Sequence, residues 1–445
     1  MINPTRTVIT GVGLVSPLGG SCEALQKGLH SQQSAVIPLG EDGSDLADLI
    51  LYGAPCADFT GDIADFCVTD KEIKRNIRKG IKIMCRETQM AIASAQKALL
   101  HAQLDFGNMP QPRVGVMYGS DYMLSEPTST AGAFQACIDE EGNFHPQWLG
   151  SQGLPHVMPL WLLVWLPNMP GCHISILNQF LGPNNSLTMN EAAANATLKY
   201  AHDTIARGWA DMMITGATGT RLQSIRTFQT GILETLADKN LPPEEASRPF
   251  DRNRTGQVLG EGAGTLILES LEHARERKAP ILAEFLAGCD TMVGTHSADK
   301  NRMNLQPNYR QGFVNVLRKV LEQSGKSIEE IGFIHAHGLG TPEMDRAEAE
   351  AIDEVFAGRS TPIPVVAAKS VFGNLGAGSG AVELIAGINA LREGVLFPTR
   401  NFTEMEKPYR FQVVTNSTTP AGDCFIHLSA NFPGQISAAL LGRYD

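Results

Sequence analysis

Apolar positions recur along this chain in two alternating rhythms: short continuous runs of strand type, and longer stretches at helical spacing. Thr7 to Gly13 reads as a strand, Ser16-Pro17-Leu18-Gly19 as a turn, and the stretch carrying Leu25 as a helix. Val114 to Ser120 is a buried-type strand. The passage from Gly182-Pro183 to Ala194 runs from a turn through a short strand into a helix. That helix continues through Leu198, Ala201, Ile205 and Ala206, stops at Gly208 and leads to a strand at Met212 to Gly216. Strand, tight turn, buried helix and strand is the order in which a parallel sheet holds a reactive residue at a helix N-terminus.

The second half repeats this plan. A helix over 309–323, a strand over Ile331 to Ala336, a helix over 343–356, a strand at Val365 to Ala367, a glycine-rich turn, a helix over 380–392 and two final strands near 424–429 and 436–441 follow in order. Two successive α/β halves, 1–270 and 271–445, are predicted. Residues 31–66 are expected to be an irregular surface excursion. Thr69 to Leu100 is expected to form one long helix, capped by Thr69-Asp70-Lys71-Glu72. Its first half carries Lys71, Lys74, Arg75 and Arg78, which form either a solvated basic face or a docking surface for an acidic partner.

Composition narrows the functional classes. With 445 residues there is ample material for a core, and 44 glycines fit many tight connections. The formal charge of -11 argues against general nucleic-acid affinity. Eight cysteines without paired spacing read as reduced thiols of a cytoplasmic protein, with neither a disulfide framework nor a metal site. No signal peptide is read at the N-terminus, and the longest apolar run, Val157 to Leu166, is too short to span a bilayer. That run is assigned to the interior or to a subunit interface. No cofactor motif survives inspection. The glycine-rich run from Arg248 to Gly264 precedes a strand, where a dinucleotide fingerprint needs a helix, and Val320 stands where a phosphate loop ending in Gly325-Lys326-Ser327 needs glycine.

Several separated stretches carry a family resemblance in register: Val8 to Gly19, Leu166-Pro167-Asn168-Met169, Gly182-Pro183-Asn184, Arg248-Pro249-Phe250-Asp251, Gly260 to Gly264, His337 to Pro342 and Lys369 to Asn374. Together they resemble the β-ketoacyl-acyl-carrier-protein synthases of the thiolase-like fold, two duplicated α/β halves in a layered αβαβα arrangement. The resemblance implies acyl carrier protein as a partner, a homodimer or a heterodimer with a ketosynthase, and a site of cysteine, two histidines, lysine and glutamate. His337 matches the first histidine, Lys369 the lysine and Glu383 the glutamate. Asn374 stands at the second histidine position, and Glu191, eight residues after Pro183, at the cysteine position. Phe432, in Asn431-Phe432-Pro433-Gly434, matches the aromatic of the family's C-terminal gate, whose backbone N–H completes the oxyanion hole.

A thiolate at a helix N-terminus attacks a thioester, and a carboxylate does so poorly. Glu191 therefore implies a degenerate member of the family, similar to a chain-length factor. Two alternatives stand beside that reading: a non-covalent condensing enzyme or malonyl-carrier-protein decarboxylase working through His337 and Asn374, and a carrier-protein binding module. An ionised Glu191 about 4 Å from a malonyl carboxylate would repel it by roughly 1 kcal/mol in water and about 4 kcal/mol at an effective dielectric of 20. Burial and the helix N-terminus push the protonation of Glu191 in opposite directions. Thr188-Met189-Asn190-Glu191 also fits a capping box, in which the glutamate serves only the helix start. Trp161 and Trp165 lie where relatives build the dimer interface and acyl tunnel, and packing is the simpler role for them.

Overall fold

The computed structural model describes residues 5–31, 33–39, 50–106, 109–294 and 307–444. In chain order its strands are β1 (Thr7–Val15), β2 (Ile37–Pro38), β3 (Tyr52–Gly53), β4 (Val114–Ser120), β5 (Asn184–Thr188), β6 (Met212–Thr220) and β7 (Glu261–Ser270). They continue with β8 (Ala283–Met292), β9 (Phe333–His335), β10 (Ile363–Val366), β11 (Phe411–Val413), β12 (Cys424–Ala430) and β13 (Gln435–Gly442). Eleven of them join in the order β11-β10-β9-β12-β13-β8-β1-β7-β6-β4-β5, with β2 and β3 forming a separate antiparallel pair. The two halves meet where Thr7, Val8 and Ile9 of β1 pair antiparallel with Phe285, Glu284 and Ala283 of β8. Within the first half β4, β5 and β6 run parallel, and within the second β9, β10 and β12 do.

Layering follows from which helices are buried on both sides. The helix Ala193–Ala206 packs on β6 and β4 on one side and on β8 and β13 on the other. The helix Gly378–Glu393 likewise lies between β7 and β12, with every residue from Gly378 to Leu391 buried. A helix packed against strands on two sides is an inner layer, and most of its residues are small or apolar. Gly380 lets these two central helices approach, since a Cβ there would sit 2.9 Å from the Ala194 Cβ. Arg86–His101 covers β1 and β7 from outside, and Tyr309–Ser324 covers β8 and β13. The order is helix, sheet, helix, sheet, helix.

Three expectations need correction. The single helix over Thr69 to Leu100 is two helices, Lys71–Gly80 and Arg86–His101, separated by a 3-10 turn and an extended Met84 and Cys85. Arg86, the first residue of the second helix, pairs with buried Glu261 at 2.6 Å and ties the start of that helix to β7. The cap is the side chain of Asp70, which accepts from the N–H groups of Glu72 and Ile73. The apolar run Val157 to Leu166 is not interior to this chain: Met158, Leu160 and Leu162 are exposed, while Trp161 and Trp165 are half-buried. The 31–66 region is not wholly superficial, since Val36, Tyr52, Ala54, Cys56, Phe59 and Phe66 are buried. All eight cysteines are free.

Candidate functional site

The parallel strands set the site. Glu191 follows β5, Arg221 follows β6, His337 lies just beyond β9 and Lys369 just beyond β10, so all four gather at strand C-terminal ends, where open α/β sheets place their ligands. Asn374 joins through the loop after Lys369–Phe372, whose Gly373 has φ +68°. Its backbone N–H donates to the Val258 carbonyl at 2.7 Å, and its carbonyl accepts from Gly260 at 2.8 Å.

Glu191 is buried, 3% exposed, and lies in a 3-10 turn, Asn190–Ala192, ahead of the Ala193–Ala206 helix. The expected capping box does not form, because no side chain caps this turn and Thr188 is exposed. The carboxylate instead accepts a hydrogen bond from the guanidinium of Arg221 and one from the Asn374 amide at 2.9 Å. Burial pushes its pKa up, but the charge of Arg221 and the Asn374 hydrogen bond outweigh this and hold it below the ordinary carboxylate range. The residue before it, Asn190, has φ +47° and is pinned by Arg226, which donates to its side-chain oxygen at 3.0 Å. Asn tolerates this left-handed conformation better than most residues. Arg221 and Arg226 both face buried Asp121, at 3.9 and 3.5 Å.

Both hydrogens of the Asn374 amide are engaged, one with Glu191 and the other with the Gln257 side-chain oxygen at 2.7 Å. His337 differs. The Lys369 ammonium lies 3.5 Å from its Nδ1 and donates to its carbonyl at 2.8 Å, so the neutral ring carries its proton on Nε2. That buried nitrogen has no partner. Burial, then the neighbouring Lys369 charge, lower the His337 pKa to about 3. Its loop is held by Glu348, whose two carboxylate oxygens accept from the N–H groups of His337 and Gly338 at 2.7 and 2.9 Å.

Behind the site runs a buried polar chain. Glu383 accepts from Lys369 at 2.6 Å and meets His427 Nε2 at 3.0 Å, and His427 Nδ1 meets the Asn195 side chain at 2.8 Å. Asn195 lies in the first turn of the Ala193–Ala206 helix, which follows the Glu191 turn. The five predicted residues Glu191, His337, Lys369, Asn374 and Glu383 are thus brought together. Phe432 is half-buried with its carbonyl bonded to the Tyr309 hydroxyl at 2.6 Å, and the chain beside it reaches the Glu191 turn through Ser429 of β12, which donates to the Glu191 carbonyl, and Asn431, which donates to that of Met189. Lys71, Arg75 and Arg78 are exposed and Lys74 half-buried on the separate helix Lys71–Gly80, with Ile77 as its buried anchor. Arg221, Arg226, Asp121, Gln257 and His427 were not read from sequence. The one available signal was an arginine directly after the wholly buried strand β6. Among the described residues no cluster of ligating side chains could hold a metal.

The architecture is thiolase-like, with the Glu191 turn facing the loops that carry His337 and Lys369. Residues 5–274 match the β-ketoacyl synthase N-terminal domain and 290–403 the C-terminal domain. The chain belongs to the β-ketoacyl synthase family. It is 32% identical to 3-oxoacyl-[acyl-carrier-protein] synthase I, chloroplastic, of Arabidopsis thaliana, over 92% of this chain and 80% of that protein. Among solved structures it resembles the ishigamide ketosynthase/chain length factor, at 25% identity and TM-score 0.79 over 99% of this chain and 100% of that one. A type II polyketide synthase acyl-carrier protein in complex with its ketosynthase bound to the hexaketide shares the fold at 22% identity and TM-score 0.79, each chain fully covered.

Proposed function

We propose that this β-ketoacyl synthase homologue is a non-acylating partner of an active ketosynthase in fatty-acid or polyketide synthesis, in the manner of a chain-length factor. The observation that carries this reading is the ion pair of Glu191 with Arg221. In this reading Glu191 holds the place of the family's cysteine, and an ionised carboxylate bound to a guanidinium offers no nucleophile. Asn374, at the second histidine's place, has no hydrogen left for a thioester carbonyl. Retained scaffold without reagent fits a role in which the partner supplies the chemistry. The apolar surface at Met158, Leu160 and Leu162 and the edge strand β5 support pairing with a second ketosynthase-fold chain. Exposed Lys71, Arg75 and Arg78 with half-buried Lys74 support docking of an acidic carrier protein. The two halves 1–270 and 271–445 are proposed as its structural units.

Co-expression with ketosynthases that retain the cysteine tests the assignment. A stable heterodimer whose product length changes with this chain is expected, and a homodimer indifferent to every such ketosynthase overturns it. The unpartnered Nε2 of His337 favours a second reading, decarboxylation of a malonyl thioester with that N–H stabilising the enolate. Carbon dioxide release from malonyl-carrier protein, lost in His337→Ala, is its signature; release no faster than the blank excludes it.

A further inference from the structure

At position 191 two buried donors from different elements converge on one carboxylate oxygen. Arg221 donates its guanidinium and Asn374 its amide to Oε1, and both donors are buried, at 3% and 1% exposed. Each is held from behind. Arg221 faces Asp121, and Asn374 is braced by Gln257, which itself donates to Glu234 at 2.8 Å. Beside them the buried His337 Nε2 is unpartnered, and its ring senses the Glu191 charge. Donors aimed at one point from several elements form a receptor for a carboxylate, whichever chain the carboxylate belongs to.

We propose that the seat of the Glu191 side chain is a carboxylate-binding subsite filled in cis, built by Arg221 and Asn374, with Arg221 as the residue that selects a carboxylate there. A tethered carboxylate competes at high effective concentration, so the native chain excludes free carboxylates and carboxylate-bearing acyl groups from this subsite. Shortening Glu191 to alanine removes the group while its receptor stays, and leaves room for the two carbons of acetate. This sharpens the reading of the same site given above. Its test uses neither carrier protein nor partner chain, so the two can fail separately.

The experiment follows thermal unfolding of wild type, Glu191→Ala and Glu191→Ala/Arg221→Met in sodium acetate, in acetamide and in sodium chloride of equal ionic strength. Acetate is expected to raise the melting temperature of Glu191→Ala by several degrees beyond chloride, because it binds the folded state alone. Acetamide fills the same volume without charge and is expected to do much less. Wild type and the double variant are expected to show no acetate-specific shift. Equal effects of acetate and acetamide, or an acetate shift that survives loss of Arg221, overturn the proposal. Should Glu191→Ala fail to fold, Glu191→Gln keeps the volume: it is expected to melt below wild type and to recover when combined with Arg221→Met. A Glu191→Gln protein as stable as wild type overturns the proposal equally.

Discussion

The guanidinium of Arg221 and the carboxylate of Glu191 form an ion pair in which the side chains are 4% and 3% exposed. One stands at the end of β6 and the other at the start of a central helix, and the contact joins two elements that carry the site.

Breaking this pair from either side leaves an uncompensated buried charge. Arg221→Met is expected to cost about 3–5 kcal/mol of unfolding free energy, whereas removing both charges in Glu191→Gln/Arg221→Met should recover most of it. Urea denaturation of the two singles and the double gives the coupling; strictly additive losses would mean that the residues do not depend on each other.

Restoring a thiol makes a different prediction. In Glu191→Cys the sulfur faces Arg221 at the start of a helix, two influences that favour thiolate. The new cysteine should therefore ionise below the ordinary thiol value of about 8.5. Thiolate absorbance of the variant minus that of wild type checks this, and intact mass after incubation with acyl thioesters shows whether acylation follows.

Acid should weaken the protein earlier than carboxylate titration alone would allow. Burial lowers the pKa values of His335 and His337 from 6.5 to about 3, so both are neutral in the folded state. As pH falls below 6.5 the unfolded chain takes up protons that the folded chain refuses, and stability falls by about 1.4 kcal/mol per pH unit for each histidine. Glu191 acts in the same direction further down. Its folded pKa lies below 4.5, so the stability it contributes is present above that value and is lost as pH falls toward the folded one. His335 has neither ring nitrogen hydrogen-bonded, and His335→Leu should flatten the pH dependence between about pH 6 and 4, as read by chemical denaturation across that range.

The basic helix allows a test of carrier docking that leaves the core untouched. Arg75→Glu with Arg78→Glu changes two exposed positions. Affinity for an acidic carrier protein is expected to fall at least roughly tenfold at low salt, and the difference should shrink as ionic strength rises and the Debye length shortens. Binding isotherms at two salt concentrations, with unchanged thermal unfolding as the control, decide it.

Local pattern was enough for much of this protein. Alternating apolar strands and helices named the α/β class. The family resemblance carried by short motifs pointed to Glu191, His337, Lys369, Asn374 and Glu383, because the turns and strand ends around most of them are encoded within a few neighbours. The same locality misled at Thr69 to Leu100, where helical spacing continues across a break over 81–85, after which Arg86 starts a new helix tied to Glu261, far along the chain. It misled again at Thr188, where a sequence suited to a capping box gave up its glutamate to Arg221 and Asn374. Sequence alone determined which residue types stand at the strand ends, and therefore that a carboxylate occupies position 191. Only the tertiary structure decided that this carboxylate is buried and matched to an arginine that favours its charged form. That outcome depends on burial and on groups that approach only when β5, β6 and the loop after Phe372 are assembled, and the energy of a buried ion pair is set by such surroundings.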